Sequence, residues 1–297
     1  MKLRNAIAAI TIATAGAFAT VPAQAAPFAD VVVLMDESGS MSGDQAWMKG
    51  AITSLDTGLI GAGLTPNQYG SVGFAVGGGP GLTRYFNMPG PGTTNPPTLP
   101  ASPFGTAANF QTLAYSIAGG TEDGWAAITA ANAMPFRSGA ARNYILVTDE
   151  DRDASQAGLT YAGVLASMTA TGTLLNAIVD ATFTCSLTGQ ILGVASDGTC
   201  FAADGQGGFL TGINGIAIAG FGTTVADYVN MAWGTGGVAW NLNLLRVGGV
   251  TADSFTKAFI DVKIAEIQQA APEPGSLALL GLGFAGLAAV RRRKAKA

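Results

Sequence analysis

The chain has 297 residues, 48% of them hydrophobic and only 11% charged, with a formal net charge of −4 at pH 7, two cysteines and no histidine. The missing histidine rules out Ser-His-Asp and Cys-His nucleophile pairs and every His-ligated zinc site, and nothing in the sequence sets Glu122 and Asp123 across a cleft from a partner, so no enzymatic activity is expected. Residues 26–271 hold 8 basic against 18 acidic side chains, a net of −10, which argues against a nucleic-acid partner and suits a soluble exported domain with a full core.

Residues 1–25 have the three parts of a secretory signal peptide: Lys2 and Arg4, a mostly apolar run over 6–19, and Ala23-Gln24-Ala25, with cleavage expected after Ala25. The first strand of the mature chain, 31–35, empties into Asp36-Glu37-Ser38-Gly39-Ser40. A carboxylate and two hydroxyls just past a buried strand offer oxygens to a hard cation such as Mg²⁺, at the end of the sheet where open α/β folds gather their ligands. The same residues also make an ordinary turn or a helix N-cap.

Periodicity predicts a helix over 44–60 with Trp47, Met48, Ala51, Ile52, Leu55 and Leu59 on one face, a strand over 69–76, and an antiparallel edge strand over 82–86. Residues 77–105 include Pro89-Gly90-Pro91-Gly92 and Asn95-Pro96-Pro97; such composition reads as a long surface loop. Helices over 107–117 and 125–133 follow, separated by a Gly-containing turn that displays the Thr121 hydroxyl. A second buried strand, 143–148, ends in Asp149-Glu150-Asp151-Arg152-Asp153, where Asp151 and Asp153 read as solvated acidic residues at a helix start.

Beyond a helix over 160–170 and a strand over 174–182, residues 183–212 read as a hairpin insertion with Asp197-Gly198 and Asp204-Gly205 turns. Cys185 and Cys200 lie within it, and in an oxidising compartment one structural disulfide is expected. A strand over 213–218, a helix over 225–232, a strand over 237–242 and a helix over 254–268 complete the domain. This alternation predicts an α/β fold over 26–271, a doubly wound, mostly parallel sheet flanked by helices.

A strand, Asp-x-Ser-x-Ser, a distal Thr, then a strand and Asp, in that order, resembles the von Willebrand factor type A domain and its metal-ion-dependent adhesion site, over residues 28–265. The resemblance implies a Rossmann-like fold and metal ligands at Asp36, Ser38, Ser40, Thr121 and Asp149. Ser38 and Ser40 would bind the ion directly, and the other three directly or through water. Mg²⁺ is the implied ion, with Ca²⁺ or Mn²⁺ as alternatives, and its missing ligand would be a carboxylate of a protein or polysaccharide partner. Glu122, Asp123 and the acidic run after Asp149 depart from the family pattern, and extra carboxylates favour Ca²⁺ or repel an acidic partner. The implied function is an exported, surface-associated binding or adhesion protein of extracellular matrix or biofilm. The alternative is a structural matrix protein whose metal site serves stability only.

Pro272-Glu273-Pro274, the apolar stretch 275–290 and Arg291-Arg292-Arg293-Lys294 resemble, part by part, the PEP-CTERM sorting signal of exopolysaccharide-producing Gram-negative bacteria. A helix over 275–290 reaches only about 24 Å, short of the roughly 30 Å hydrocarbon core, which suits a transient span of the inner membrane. Its basic end would stay cytoplasmic. The resemblance implies processing by an exosortase-type protease and release to the cell surface or matrix. The mature protein from a native host is therefore expected to lack residues 275–297. In mass spectra of that material, an intact peptide ending at Ala297 would make the segment a permanent anchor instead.

Overall fold

The computed structural model describes residues 28–270, apart from 77–81, 89–93 and 96–97. The signal peptide at 1–25, the sorting segment at 272–297 with its membrane helix at 275–290, and parts of the 77–105 loop lie outside the described residues. Among the described residues no helix is long and apolar enough to cross a membrane.

The first half of the chain runs β1 (Ala29–Asp36), a 3-10 turn (Gly39–Met41), α1 (Ser42–Gly61), β2 (Gln68–Phe74), β3 (Arg84–Phe86), β4 (Thr94–Asn95), β5 (Phe104–Gly105), α2 (Ala107–Gln111), α3 (Gly124–Ala131) and β6 (Ala141–Thr148). There follow α4 (Tyr161–Thr169), β7 (Leu174–Val179), β8 (Ala181–Thr184), β9 (Ile191–Ala195), β10 (Cys200–Ala203), β11 (Phe209–Gly212) and β12 (Ile216–Gly220). A π-helical turn (Val225–Val229), α5 (Asn230–Gly234), β13 (Val238–Asn241), α6 (Leu242–Arg246) and α7 (Gly249–Ala270) complete it.

β1 is buried along its whole length, as its unbroken Val31-Val32-Val33-Leu34-Met35 run requires of a strand covered on both faces. Its side chains divide by turns. Val31, Val33 and Met35 pack with Met48, Ile52 and Leu55 of α1 and with Phe255 and Phe259 of α7, whereas Val32 and Leu34 pack with Trp125 and Ile128 of α3 and with Val164 and Met168 of α4. β13, β7, β6, β1 and β2 lie parallel in that order. β3 and β4 add antiparallel strands beyond β2. The chain leaves β1 toward β2 on one side and leaves β6 toward β7 on the other, so the winding reverses between β1 and β6. That reversal is where an open α/β sheet forms a crevice.

Two expectations change and a third is extended. The helix expected over 107–117 stops at Gln111, because the chain beyond it is drawn into an extended path by Tyr115, whose hydroxyl pairs with Ser71, and by Ser116, whose N–H donates to Glu37. The strand expected over 174–182 breaks at Asp180: β7 stays in the sheet, and β8 leaves it to pair with β12. The expected hairpin insertion over 183–212 does form, and it is continuous with the main sheet. β9 pairs with β13, and β10 and β11 follow in a meander that continues the main sheet, since Ile191, Leu192 and Val194 are apolar enough to be buried there.

Cys185 and Cys200 form the expected disulfide, with Cα atoms 6.4 Å apart and a sequence separation of 15 residues. A loop of that length corresponds to about 3 kcal/mol of lost unfolded-state entropy. Alkylation of the denatured protein should find no free thiol, and reduction should lower the unfolding free energy by about 3 kcal/mol. Two alkylated cysteines in exported material would remove the disulfide from this account.

Candidate metal centre

Asp36 ends β1 and Thr148 ends β6, and these strands are parallel neighbours with Met35 opposite Val147. Register alone therefore sets the two following loops side by side. Asp36 Oδ1 accepts the Ser38 N–H at 2.7 Å, and Oδ2 accepts the Thr148 hydroxyl at 2.8 Å. The 3-10 turn carries Ser38 and Ser40 to the mouth of α1, where their hydroxyls lie 3.1 Å apart and Ser40 donates to Asp149 Oδ1 at 3.0 Å. Ser38 occupies the N-cap position of that turn but makes no side-chain capping bond, so its hydroxyl faces the cluster. Of the ordinary-turn reading, only the Asp36 carboxylate binding the N–H two residues on is realised.

A third segment crosses these loops. Glu37, buried and ion-paired with Arg84 of β3, accepts the Ser116 N–H at 2.6 Å, and Gln45 of α1 donates to the carbonyls of Asp36 and Ser116. Gly119 then bridges to Ser38. Only glycine fits here, because a Cβ would overlap the Ala75 carbonyl. The segment delivers Glu122, so that one carboxylate oxygen each of Asp36, Glu122 and Asp149 lie within 4.8 Å of one another. Thr121 is half-buried beside it, and among the described residues no hydrogen bond joins it to the cluster. The structure thus brings Asp36, Ser38, Ser40 and Asp149 together, with the carboxylate of Glu122 entering beside Thr121.

The acidic run does not open a helix. Asp151 accepts the Thr223 N–H at 2.9 Å, Asp153 accepts the Glu122 N–H at 2.8 Å, and Arg152 ion-pairs with buried Asp123 at 2.7 Å. These side chains clasp the neighbouring loops, and α4 begins only at Tyr161, capped by Thr160.

Burial, then the charges of Asp36, Glu150 and Asp149, push the Glu122 carboxyl up to about 9. Its Oε2 is buried without a hydrogen-bond partner. Burial also raises Asp36, against the opposing effect of hydrogen bonds from Ser38, from the protonated Glu122 carboxyl and from Thr148. Arg246 of α6 closes one side, donating to Asp149 Oδ2 at 2.9 Å and to Asp44 Oδ2 at 2.6 Å. Burial opposes its charge, but Asp44 and Asp149 prevail and raise its pKa. Sequence reasoning missed Arg246, which lies 97 residues from Asp149, and did not count Glu122 among the metal ligands. Three carboxylates, one of them with an orphaned buried oxygen, and two hydroxyls are hard donors that fit a divalent cation of the Mg²⁺, Ca²⁺ or Mn²⁺ class.

The doubly wound sheet with its Asp-x-Ser-x-Ser loop at the point of reversal has the architecture implied by the resemblance to von Willebrand factor type A domains. Residues 270–294 match the PEP-CTERM protein-sorting motif, so the chain carries that signal, which implies export and a membrane-held sorting stage. No curated protein matches the chain. Among solved structures, it is similar to proximal thread matrix protein 1 from the mussel byssus, at 14% identity over 53% of this chain and 36% of that one, with a TM-score of 0.34. A form of that mussel protein with a zinc-occupied MIDAS motif gives 16% identity over 53% and 37%, with a TM-score of 0.36. The human COPII-coat protein Sec24c gives 9% identity over 52% and 27%, with a TM-score of 0.38. The chain thus spans little more than a third of the mussel protein's length.

Because Glu122 titrates above the ordinary value of 4.5 in the fold, its contribution favours the folded state at low pH and is lost as pH rises toward about 9. The metal-free protein should therefore lose stability between about pH 5 and 9, with Glu122→Gln flattening the profile. At pH 7, saturating Mg²⁺ or Ca²⁺ should release about one proton, seen by calorimetry in two buffers of different ionisation enthalpy. A metal-free melting temperature that does not change over this range would take Glu122 out of the charge balance.

Proposed function

We propose that the chain is an exported binding protein, without catalytic activity, that uses a divalent cation held by Asp36, Ser38, Ser40, Glu122 and Asp149 to engage a carboxylate-bearing protein or polysaccharide outside the cell. The observation that carries this reading is the convergence of three carboxylates from three chain segments within 4.8 Å, with Glu122 Oε2 buried and unpartnered. Carboxyls gathered and desolvated in this way are costly to ionise together without a compensating cation, as the raised pKa of Glu122 reflects. The sorting motif supports an extracellular destination reached through an exosortase-type protease.

A second reading has its own support. Arg246 already supplies a cation to Asp149, and Glu122 adds a carboxylate, so a bound ion would keep less attraction for an outside anion. On that reading the metal stabilises a structural matrix protein.

Loss of an outer-shell partner typically weakens metal affinity 10–100-fold, so Asp36→Ala and Asp149→Ala are each expected to lower Mg²⁺ or Ca²⁺ affinity by at least about 100-fold in a domain that stays folded. Full-affinity binding by both variants would remove the cation from the site. Capture of extracellular protein or polysaccharide that is lost with chelator and with Asp36→Ala favours the binding reading. A chelator that shifts only the melting temperature favours the structural one.

A further inference from the structure

Of the eleven large hydrophobic residues exposed among the described residues, five fall within the twelve positions 210–221: Leu210, Ile213, Ile216, Ile218 and Phe221, each more than half exposed. They lie on the arm built from β8, β11 and β12. In the two-stranded sheet, Ile216 stands opposite exposed Thr184 and Ala219 opposite exposed Thr182, while Ala181 and Phe183 turn inward and are buried. A bulge between Ala217 and Ala219 leaves Ile218 exposed as well. One face of this small sheet is therefore apolar and open.

Its edges are open too. Among the described residues, β12 pairs only with β8, and β11 only with β10. Soluble proteins blunt such edges with charges or proline. Residues 205–226 contain neither, although the domain around them carries a net −10. The arm is also preformed: Ser186 and Ile213 exchange hydrogen bonds at 2.9 Å, and the Cys185–Cys200 disulfide ties the end of β8 to β10.

The occupant is set by size, charge and chain path. Five half-exposed side chains of this kind present on the order of 400–500 Å² of mostly apolar surface, the range of patches that mark interaction sites. That is about half of the ~800 Å² each partner contributes to a standard interface, with Thr182, Thr184 and the strand edges available for the rest. The chain leaves the described structure at Ala270, at the end of a 22-residue helix whose first turns reach the β10–β11 turn through Asp253, so the exit lies about 25 Å from that contact. A neutral, apolar surface with an unpaired strand edge is complementary to itself, as a twofold contact requires.

We propose that the β8–β11–β12 arm is a self-association surface on which two copies of this chain dock, apolar face to apolar face, with their β12 edges paired antiparallel. Light scattering and sedimentation of the mature protein over about 1–100 µM should show twice the monomer mass at the high end and dissociation on dilution. The double substitution Ile216→Lys/Ile218→Lys should give a monomer that keeps its disulfide and its divalent-cation affinity, while Leu99→Lys, at an exposed apolar residue elsewhere, leaves the dimer intact. In the wild type, amide exchange across residues 216–220 should slow as concentration rises. A monomer at every concentration, a dimer that survives the double substitution, exchange that ignores concentration, or a dimer abolished by chelator would each overturn the proposal.

Discussion

Asp36 and Asp149 meet because β1 and β6 lie parallel, in register and buried, while the chain leaves them in opposite directions. Each strand is too apolar to sit anywhere but the centre of the sheet, so the residues that follow must emerge side by side at one end. The 3-10 turn, the Thr148 hydroxyl bond and the Gly119 crossing all elaborate this one juxtaposition. Shifting β6 by one residue would exchange its two faces and turn Thr148 away from Asp36.

How the remaining buried acids are handled makes the cluster distinctive. Asp30, Glu37 and Asp123 have fully buried side chains, and each has its own arginine, respectively Arg137, Arg84 and Arg152. Such pairs add little net stability, yet removing one partner costs about 3–5 kcal/mol, so they lock the elements they join. Glu37–Arg84 fixes the crossing segment against β3, and Asp123–Arg152 fixes it against the loop after β6. Among the described residues, Asp36 and Glu122 have no ion pair, and Asp149 has only the guanidinium of Arg246, which also serves Asp44. The fold neutralises its structural carboxylates individually and leaves these three short of positive charge.

The apolar arm has a different chemistry. Its residues carry no charge, and the disulfide that braces it has no part in the carboxylate cluster. Pairing through the arm would join two cation centres in one assembly, and two linked weak sites bind a repeating ligand far more tightly than either alone. Both proposals suit a protein that carries a sorting signal for export.

Much of this was legible in the sequence because it is local. The β1 run, the Asp-x-Ser-x-Ser loop, the β6 run ending at Asp149, the α1 face and the sorting segment each lie within about twenty residues, where periodicity and motif carry the information. The Cys185–Cys200 pair was legible because two cysteines in an exported chain leave one pairing. Other features were settled only by the tertiary structure. That the Glu122 carboxylate comes within reach of Asp36 depends on the path of the Gly119 crossing past Ala75, and the length of the helix at 107–117 depends on a pull exerted by Glu37 and Ser71. Arg246 comes to the cluster from a helix 97 residues beyond Asp149. The 183–212 segment joins the main sheet because β13, formed later in the chain, presents an edge for β9. Residue type and spacing determine which groups a strand end displays, but which distant charges and edges they meet is determined by packing, because the interaction energies that decide it arise only once the chain has closed.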